Sequence, residues 1–458
     1  MDSITEYLVS YATSIRYEDI PSEVIHKLKV LLIDSLACGI MGYYSEPAKI
    51  ACRIAERVKQ CELPATILGS GRKSSPELAA FVNGVMIRYL DLNDGYESGS
   101  DRGGGHPSDN FAAVLTCADS VHTSGKNFII ASVLAYEVFC RIADKVTLVP
   151  KGFDQAVIAV ISGVIGVSRI LGLTREQMLQ ALNMAIVSNI VLGQTREGKL
   201  SMWKGCAVAN ASRNAVFAAF LAKEGMTGPD PVFNGLSGFF KVVDGPFKLD
   251  GLGGDGRPFS INKVIIKRYP CGMVAQTAID AAIKIRSKIS SIDEIAEINI
   301  GTFSSARNAM ADSDEKWHPS TRETADHSLP YVVAVALMHG NVEVMHFDNE
   351  YLNNPALINL MKRIKVEVNE ECDKLHPSSS CNRVEVITGG GKIFSEMVQY
   401  HHGHYKDPLT DAEIENKFNS LTKKHISPAQ RKELLSLIWN LEQVDDASRV
   451  MQLCNKLE

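Results

Sequence analysis

Residues 76–121, PELAAFVNGVMIRYL then DLNDGYESGSDRGGGHPSDN then FAAVLTCADSV, decide how this chain is read. Apolar side chains recur at three- and four-residue steps through Leu78, Phe81, Val82, Val85, Met86 and Leu90, a spacing that predicts a helix over 76–90. A second helix is predicted over 111–121. Between them lie Asp91, Asp94, Tyr96, His106, Asp109 and Asn110, on a loop carrying Gly99, Gly103, Gly104 and Gly105. Carboxylates and a histidine held between two apolar helices sit on a rigid frame, which is where catalytic groups tend to be placed.

The same periodicity extends outward. Helices are predicted over 24–41, 128–146, 157–173, 174–192 and 206–224. Several are apolar nearly all round and therefore belong inside a bundle. The stretch 225–258, with Gly228-Pro229-Asp230-Pro231 and many further glycines, breaks the pattern and sets a domain boundary near 260–265. Beyond it, strands are predicted over 292–303 and 364–368, and a hairpin joins 383–387 to 392–397 across Gly389-Gly390-Gly391. Helices over 273–287 and 329–338 alternate with these strands, and helical periodicity returns at 411–420 and 428–453. The expected fold is mostly α. A large all-helical domain forms from residues 1–263 and 400–458, with a smaller α+β unit, 264–399, inserted between them.

A length of 458 residues exceeds one ordinary core. With 45% hydrophobic and 22% charged residues the composition is that of a globular enzyme, and a formal charge of -5 gives no general attraction to nucleic acid or anionic membranes. An anion site must then be built locally. The ten cysteines are scattered and form no C-x-x-C pair, a pattern that suggests reduced thiols in a cytoplasmic protein and removes the usual iron–sulfur signature. The N-terminus lacks the basic and apolar regions of a secretory signal, and no apolar run reaches the roughly 18 residues of a membrane span.

Other constellations have plain readings. Asp91 and Asp94 form D-x-x-D, but nothing completes a metal site, so helix-end carboxylates are expected and no metal. Gly251-Leu252-Gly253-Gly254-Asp255-Gly256 matches G-x-G-x-x-G without a preceding strand or following helix; a flexible linker is expected. His401, His402 and His404 fall where a solvated turn is expected. For Lys204, a snorkelling lysine and an anion site at a helix N-terminus are both open. Lys267 and Arg268 stand at the junction of the two units, where clefts favour ligands. His327, in Thr324-Ala325-Asp326-His327-Ser328 at a helix start, reads as structural.

Several of these segments, in order along nearly the whole chain, resemble the MmgE/PrpD family. They are Leu32-Ile33-Asp34-Ser35-Leu36-Ala37-Cys38-Gly39, the Leu90–Asp94 and His106–Asn110 blocks, Lys267–Pro270 and Lys316–Ser328. The resemblance implies a helical domain with an inserted lid, usually as a homodimer, and cofactor-independent chemistry on tricarboxylates. It places Asp91, His106, Lys204 and Lys267 among the active-site groups. Gly95 stands where the family usually has threonine, and Gly272 where its decarboxylase branch has histidine; that branch also has a histidine near Phe153-Asp154-Gln155, where this chain has none. His106-Pro107-Ser108-Asp109-Asn110 and the Thr321–Ser328 block are typical of its dehydratase branch. The expectation is therefore dehydration of 2-methylcitrate to 2-methyl-cis-aconitate. Decarboxylation of cis-aconitate, epimerisation of a dicarboxylate and a catalytically silent binding role are the alternatives.

In this reading Lys204, Lys267 and Arg268 hold the substrate carboxylates and stabilise developing charge. His106, whose unperturbed pKa is near neutral, moves the proton, with Asp91 as its partner or itself the base. Tyr96, Asp109 and Asn110 orient the substrate.

Overall fold

In a computed structural model, residues 3–98, 104–254 and 256–455 are described. Gly99, Gly103, Asp255 and the last three residues lie outside them. The chain is mostly helical with one four-stranded sheet, as its periodicity predicts. The larger unit is not all-helical, however: Ala65–Thr66 pairs with Lys73–Ser74, and Tyr96–Glu97 pairs with Gly104–Gly105 where the loop after Asp91 folds back on itself. Among the described residues no helix is long and apolar enough to cross a membrane.

One hydrophobic core draws on residues 4–266 and again on 414–454. Its centre is the helix Ser22–Gly42, buried almost continuously from Leu28 to Ile40. That helix packs against Pro76–Tyr89 so closely that a Cβ at Gly42 would lie 2.1 Å from the Met86 carbonyl oxygen. On another face of Pro76–Tyr89, Gly84 plays the same role against Ala207–Lys223, since its Cβ would lie 2.9 Å from the Ala209 Cα. These contacts fix the C-terminal end of Pro76–Tyr89, from which the Asp91 loop departs.

The second core draws on residues 269–398. Its sheet runs in the order Ile364–Val368, Ile295–Thr302, Asn382–Thr388, Ile393–Val398; the first pair is parallel and the others antiparallel. Strand Asn382–Thr388 alternates between covered and more open positions, and helix Gln276–Arg286 packs on it with Leu329–His339 behind. The hairpin register, Ile387 opposite Ile393, spans the triple glycine.

The chain then returns to the first core through Asp411–Thr422, started by a capping box in which Thr410 and Glu413 satisfy each other's backbone amides. Lys417 on this helix donates to the carbonyls of Leu92 at 3.0 Å and Lys267 at 2.7 Å, and pairs with Asp34 at 2.5 Å. One side chain thus ties the Asp91 loop to the Lys267 junction.

Three expectations differ. The helix expected over 428–453 is two, Pro428–Trp439 and Ser448–Leu453, because Asn440 and the acidic Asp445-Asp446 turn interrupt it. The glycine linker is anchored: Gly253 N and Ser260 N donate to the buried Glu137 carboxylate at 2.8 and 2.6 Å. His401 and His404 are buried rather than solvated, and burial pulls both imidazoles down to about 4.

Candidate active site

Helix Pro76–Tyr89 ends in a residue of positive φ that is not glycine: Asp91, at φ 52. Aspartate visits this left-handed region more readily than bulkier residues, and such outliers concentrate at functional sites. The turn brings the Asp91 carboxylate back to Arg88 of the same helix, at 2.7 Å. The Lys267 ammonium donates to the other side of the turn, to the Asp91 carbonyl at 3.0 Å and to its carboxylate. Lys204 reaches the second carboxylate oxygen at 3.1 Å.

The inserted unit completes the cluster. Asp326 accepts from Lys204 at 2.5 Å and faces His327 Nδ1 at 2.7 Å; that nitrogen also lies 3.3 Å from Asp91. Asp91, Lys204, Lys267 and Asp326 are each no more than 3% exposed, whereas the His327 side chain is 19% exposed. Burial alone would raise the Asp91 carboxyl, but Arg88, Lys267 and Lys204 hold it well below the usual carboxylate range. Burial likewise opposes ionisation of Asp326, and Lys204 and His327 overcome it. Lys267 is pulled down by burial and by Arg88, against the attraction of Asp91.

Arg88, Lys204 and Lys267 therefore face Asp91 and Asp326, and burial takes His327 down to about 4, so it is neutral. The cluster carries one excess positive charge in a low-dielectric setting, which attracts an anion strongly. Asp91, Asp326 and His327 offer oxygen and nitrogen atoms within 4.8 Å of one another, a spacing a metal ion could use. Asp91 already serves Arg88, Lys204 and Lys267, and Asp326 serves Lys204, so the set is filled by three cations and does not suit a metal ion besides.

His106 adjoins this cluster. Its Nδ1 lies 2.6 Å from the Asp94 carbonyl oxygen, which can only accept, so Nδ1 carries the proton and Nε2 presents a lone pair. Its backbone amide donates to Gln155 Oε1 at 2.8 Å. Burial, then Arg88 and Lys267, push the imidazole well below its ordinary value. The near-neutral value of a free imidazole is thus displaced downward, because the ring is buried and two cations, Arg88 and Lys267, outweigh the one carboxylate near it, Asp91.

The other predicted residues divide. Asp109 lies at the margin, accepting from Asn93 at 3.1 Å and standing 3.8 Å from Arg88 Nε; burial raises it to about 7 despite Arg88. Asp94 does not pair with Asp91 as a chelate: Ser108 N and the Tyr136 hydroxyl hold it, at 3.1 and 2.8 Å. Tyr96, expected to orient substrate, donates its hydroxyl to Asp144 at 3.0 Å instead. Asn110 donates to the Pro107 carbonyl and accepts from Ser162, bracing the helix start. Arg268 is exposed, stacked over Tyr269, and lines a cleft of about 630 Å³ between the two cores with Leu92, Pro270 and Lys417.

Sequence reasoning missed Arg88 and Asp326, and the His327 it read as structural is brought to the cluster by the fold. Arg88 had a signal, its position three residues before Asp91 on the helix. Asp326 and His327 had only their adjacency within a block already suspected of capping.

Residues 6–251 match the MmgE/PrpD N-terminal domain and residues 269–443 the MmgE/PrpD C-terminal domain. The chain is 24% identical to cis-aconitate decarboxylase of Homo sapiens, over 98% of this chain and 94% of that protein. It is 27% identical to 2-methylcitrate dehydratase of Cupriavidus necator, over 95% and 93%. It is also 27% identical to the mitochondrial 2-methylcitrate dehydratase of Yarrowia lipolytica, over 88% and 80%.

Proposed function

Because the chain belongs to the MmgE/PrpD family, we propose that it is a lyase that dehydrates a citrate-like tricarboxylate, 2-methylcitrate first among them, without a cofactor. The observation that carries this reading is the excess of buried cations, Arg88, Lys204 and Lys267, over Asp91 and Asp326, beside a neutral histidine with a free lone pair.

Dehydration removes a proton next to a carboxylate and expels a hydroxyl from the neighbouring carbon. His106 Nε2 takes the proton, with its tautomer held by the Asp94 carbonyl. As the C–H electrons move to form the double bond, charge builds toward the adjacent carboxylate, where Lys204 and Arg88 offset it. The C–O bond breaks toward the hydroxyl, which leaves as water with a proton from Lys267, an ammonium made more acidic by burial. Asp91 orients the cations throughout. Incoming carboxylates compensate the field that depresses His106, so the bound base is stronger than the free one.

The cluster is closed in this form, and Lys204–Asp326 joins the two cores. Entry of substrate is proposed to part the inserted unit from the helical one, with substrate carboxylates replacing Asp326 at Lys204.

A second reading, decarboxylation of cis-aconitate, is favoured by the human relative and its nearly full-length match. Incubation with 2-methylcitrate, citrate and cis-aconitate separates the two. Alkene absorbance should grow from 2-methylcitrate without carbon dioxide. Carbon dioxide from cis-aconitate would establish the second reading, and binding without any turnover a silent protein.

A further inference from the structure

Five lysines and arginines are buried among the described residues: Lys29, Arg88, Lys204, Lys267 and Lys316. Four have partners. Lys29 meets the Trp439 carbonyl and Glu442, Arg88 and Lys267 meet Asp91, and Lys204 meets Asp91 and Asp326. Lys316 is 2% exposed, and its Nζ has no hydrogen-bond partner among the described residues.

The backbone of Lys316 is anchored on both sides. It lies in the short helix Asp314–Trp317, its amide donates to Ser313 O at 3.0 Å, and its carbonyl accepts from Ser328 Oγ. Ser328 follows Asp326 and His327 directly, so the chain that supplies two members of the cluster also holds Lys316. The ammonium feels Lys204 and Asp326 electrostatically. Asp312 and Glu315, the nearby acids of its own segment, are exposed and make no ion pair with it. A buried unpaired ammonium is costly, by several kcal/mol in general. A fold retains such a group where a ligand supplies the missing charge.

We infer that Lys316 is a substrate-binding residue that takes the carboxylate of the bound polyacid lying farthest from Lys267, and so selects three-carboxylate over two-carboxylate substrates. This inference rests on the tricarboxylate reading above and names the group that reads the third carboxylate. It also places a specificity determinant on the inserted unit, so that closure and recognition of the full substrate coincide.

The test uses the full chain and the variants Lys316→Met and Lys316→Arg, with citrate and malate as probes, measured by calorimetric Kd and by thermal unfolding with and without ligand. Lys316→Met should raise the citrate Kd at least tenfold and leave malate within twofold, while Lys316→Arg should retain most citrate binding. Without ligand, Lys316→Met should unfold at the same temperature as the parent or higher, because it removes an unpaired buried charge. An unchanged citrate Kd, an equal loss for malate, or a lower unliganded melting temperature would each overturn the assignment. Failure of the parent protein to bind any polycarboxylate would instead remove the tricarboxylate reading, and this inference with it.

Discussion

Lys204 and Asp326, 122 residues apart in sequence, meet at 2.5 Å across the boundary between the two hydrophobic cores. Breaking a buried ion pair from one side costs about 3–5 kcal/mol, because it strands the other charge. Asp326→Asn should therefore lower the melting temperature of the unliganded protein. Lys204, left with Asp91 alone, should bind citrate more tightly than in the parent, so that saturating citrate restores most of the lost stability. A melting temperature that stays low at saturating citrate would show that Asp326 is not the group substrate replaces.

The His106 assignment predicts a pH profile. Its pKa is depressed, so the unprotonated, active form persists on the acid side of the ordinary histidine value. The acid limb of kcat/KM should fall on the acid side of the ordinary histidine value, and the acid limb of kcat should lie higher, since bound carboxylates raise the same group. Asp109, at about 7, ionises near Arg88 as pH rises and reduces the positive charge that binds substrate. KM should climb above pH 7, and Asp109→Asn should flatten that rise. His106→Ala should lose about 10²–10⁴-fold in kcat; full retained activity would remove His106 from the mechanism.

His327 offers a contrast between a structural and a chemical role. Its Nδ1 faces Asp326 and Asp91, and its side chain is partly open. His327→Asn can keep a donor toward Asp326 but has no second ring nitrogen. If His327 only orients Asp326, the variant should keep kcat within tenfold and the parent pH profile. A loss above a hundredfold with unchanged citrate binding would make it a proton-transfer group.

What could be read in sequence was what neighbours along the chain encode. Apolar periodicity located the helix before Asp91, and alternation with a triple glycine located the hairpin at Ile387 and Ile393. The Asp91 and His106 pair stood out because carboxylates and a histidine interrupt two apolar helices. Lys204 was undecidable, since its partners Asp91 and Asp326 are 113 and 122 positions away and only tertiary packing unites them. Tyr96 and Asn110 share the same loop, yet Asp144 and Ser162 engage them, and no local pattern marks that choice. Lys316 is the opposite case, a buried lysine distinguished by having no hydrogen-bond partner among the described residues.

We propose that the homodimer implied by the resemblance forms through the stretch before Lys204. Val187, Ile190, Leu192, Met202 and Trp203, all exposed, fall within the stretch 187–203 that leads to Lys204. Exposed apolar residues scattered singly need no explanation, but five within one short stretch suit an interface. Trp203→Glu should shift the protein to monomer in sedimentation velocity. A parent that sediments as a monomer at all concentrations would end the proposal.

Gly95 can be tested as a packing partner. Its amide and carbonyl both exchange hydrogen bonds with Ile265, at 2.8 Å each, so the backbone is held in place. Its φ is not positive, and the obstacle to a side chain is steric: a Cβ would fall 1.6 Å from Met273 Cε. The methionine thus fills the volume that a threonine at this position would take. Gly95→Thr should cost about 1–3 kcal/mol by overpacking, softened by the flexibility of the methionine tip. Met273→Ala alone should also destabilise, by leaving a void. Since each change compensates the other, the double variant should be more stable than the sum of the single effects predicts, with a coupling of about 0.5–3 kcal/mol in denaturant unfolding. Simple additivity would mean that Gly95 is held by something other than Met273.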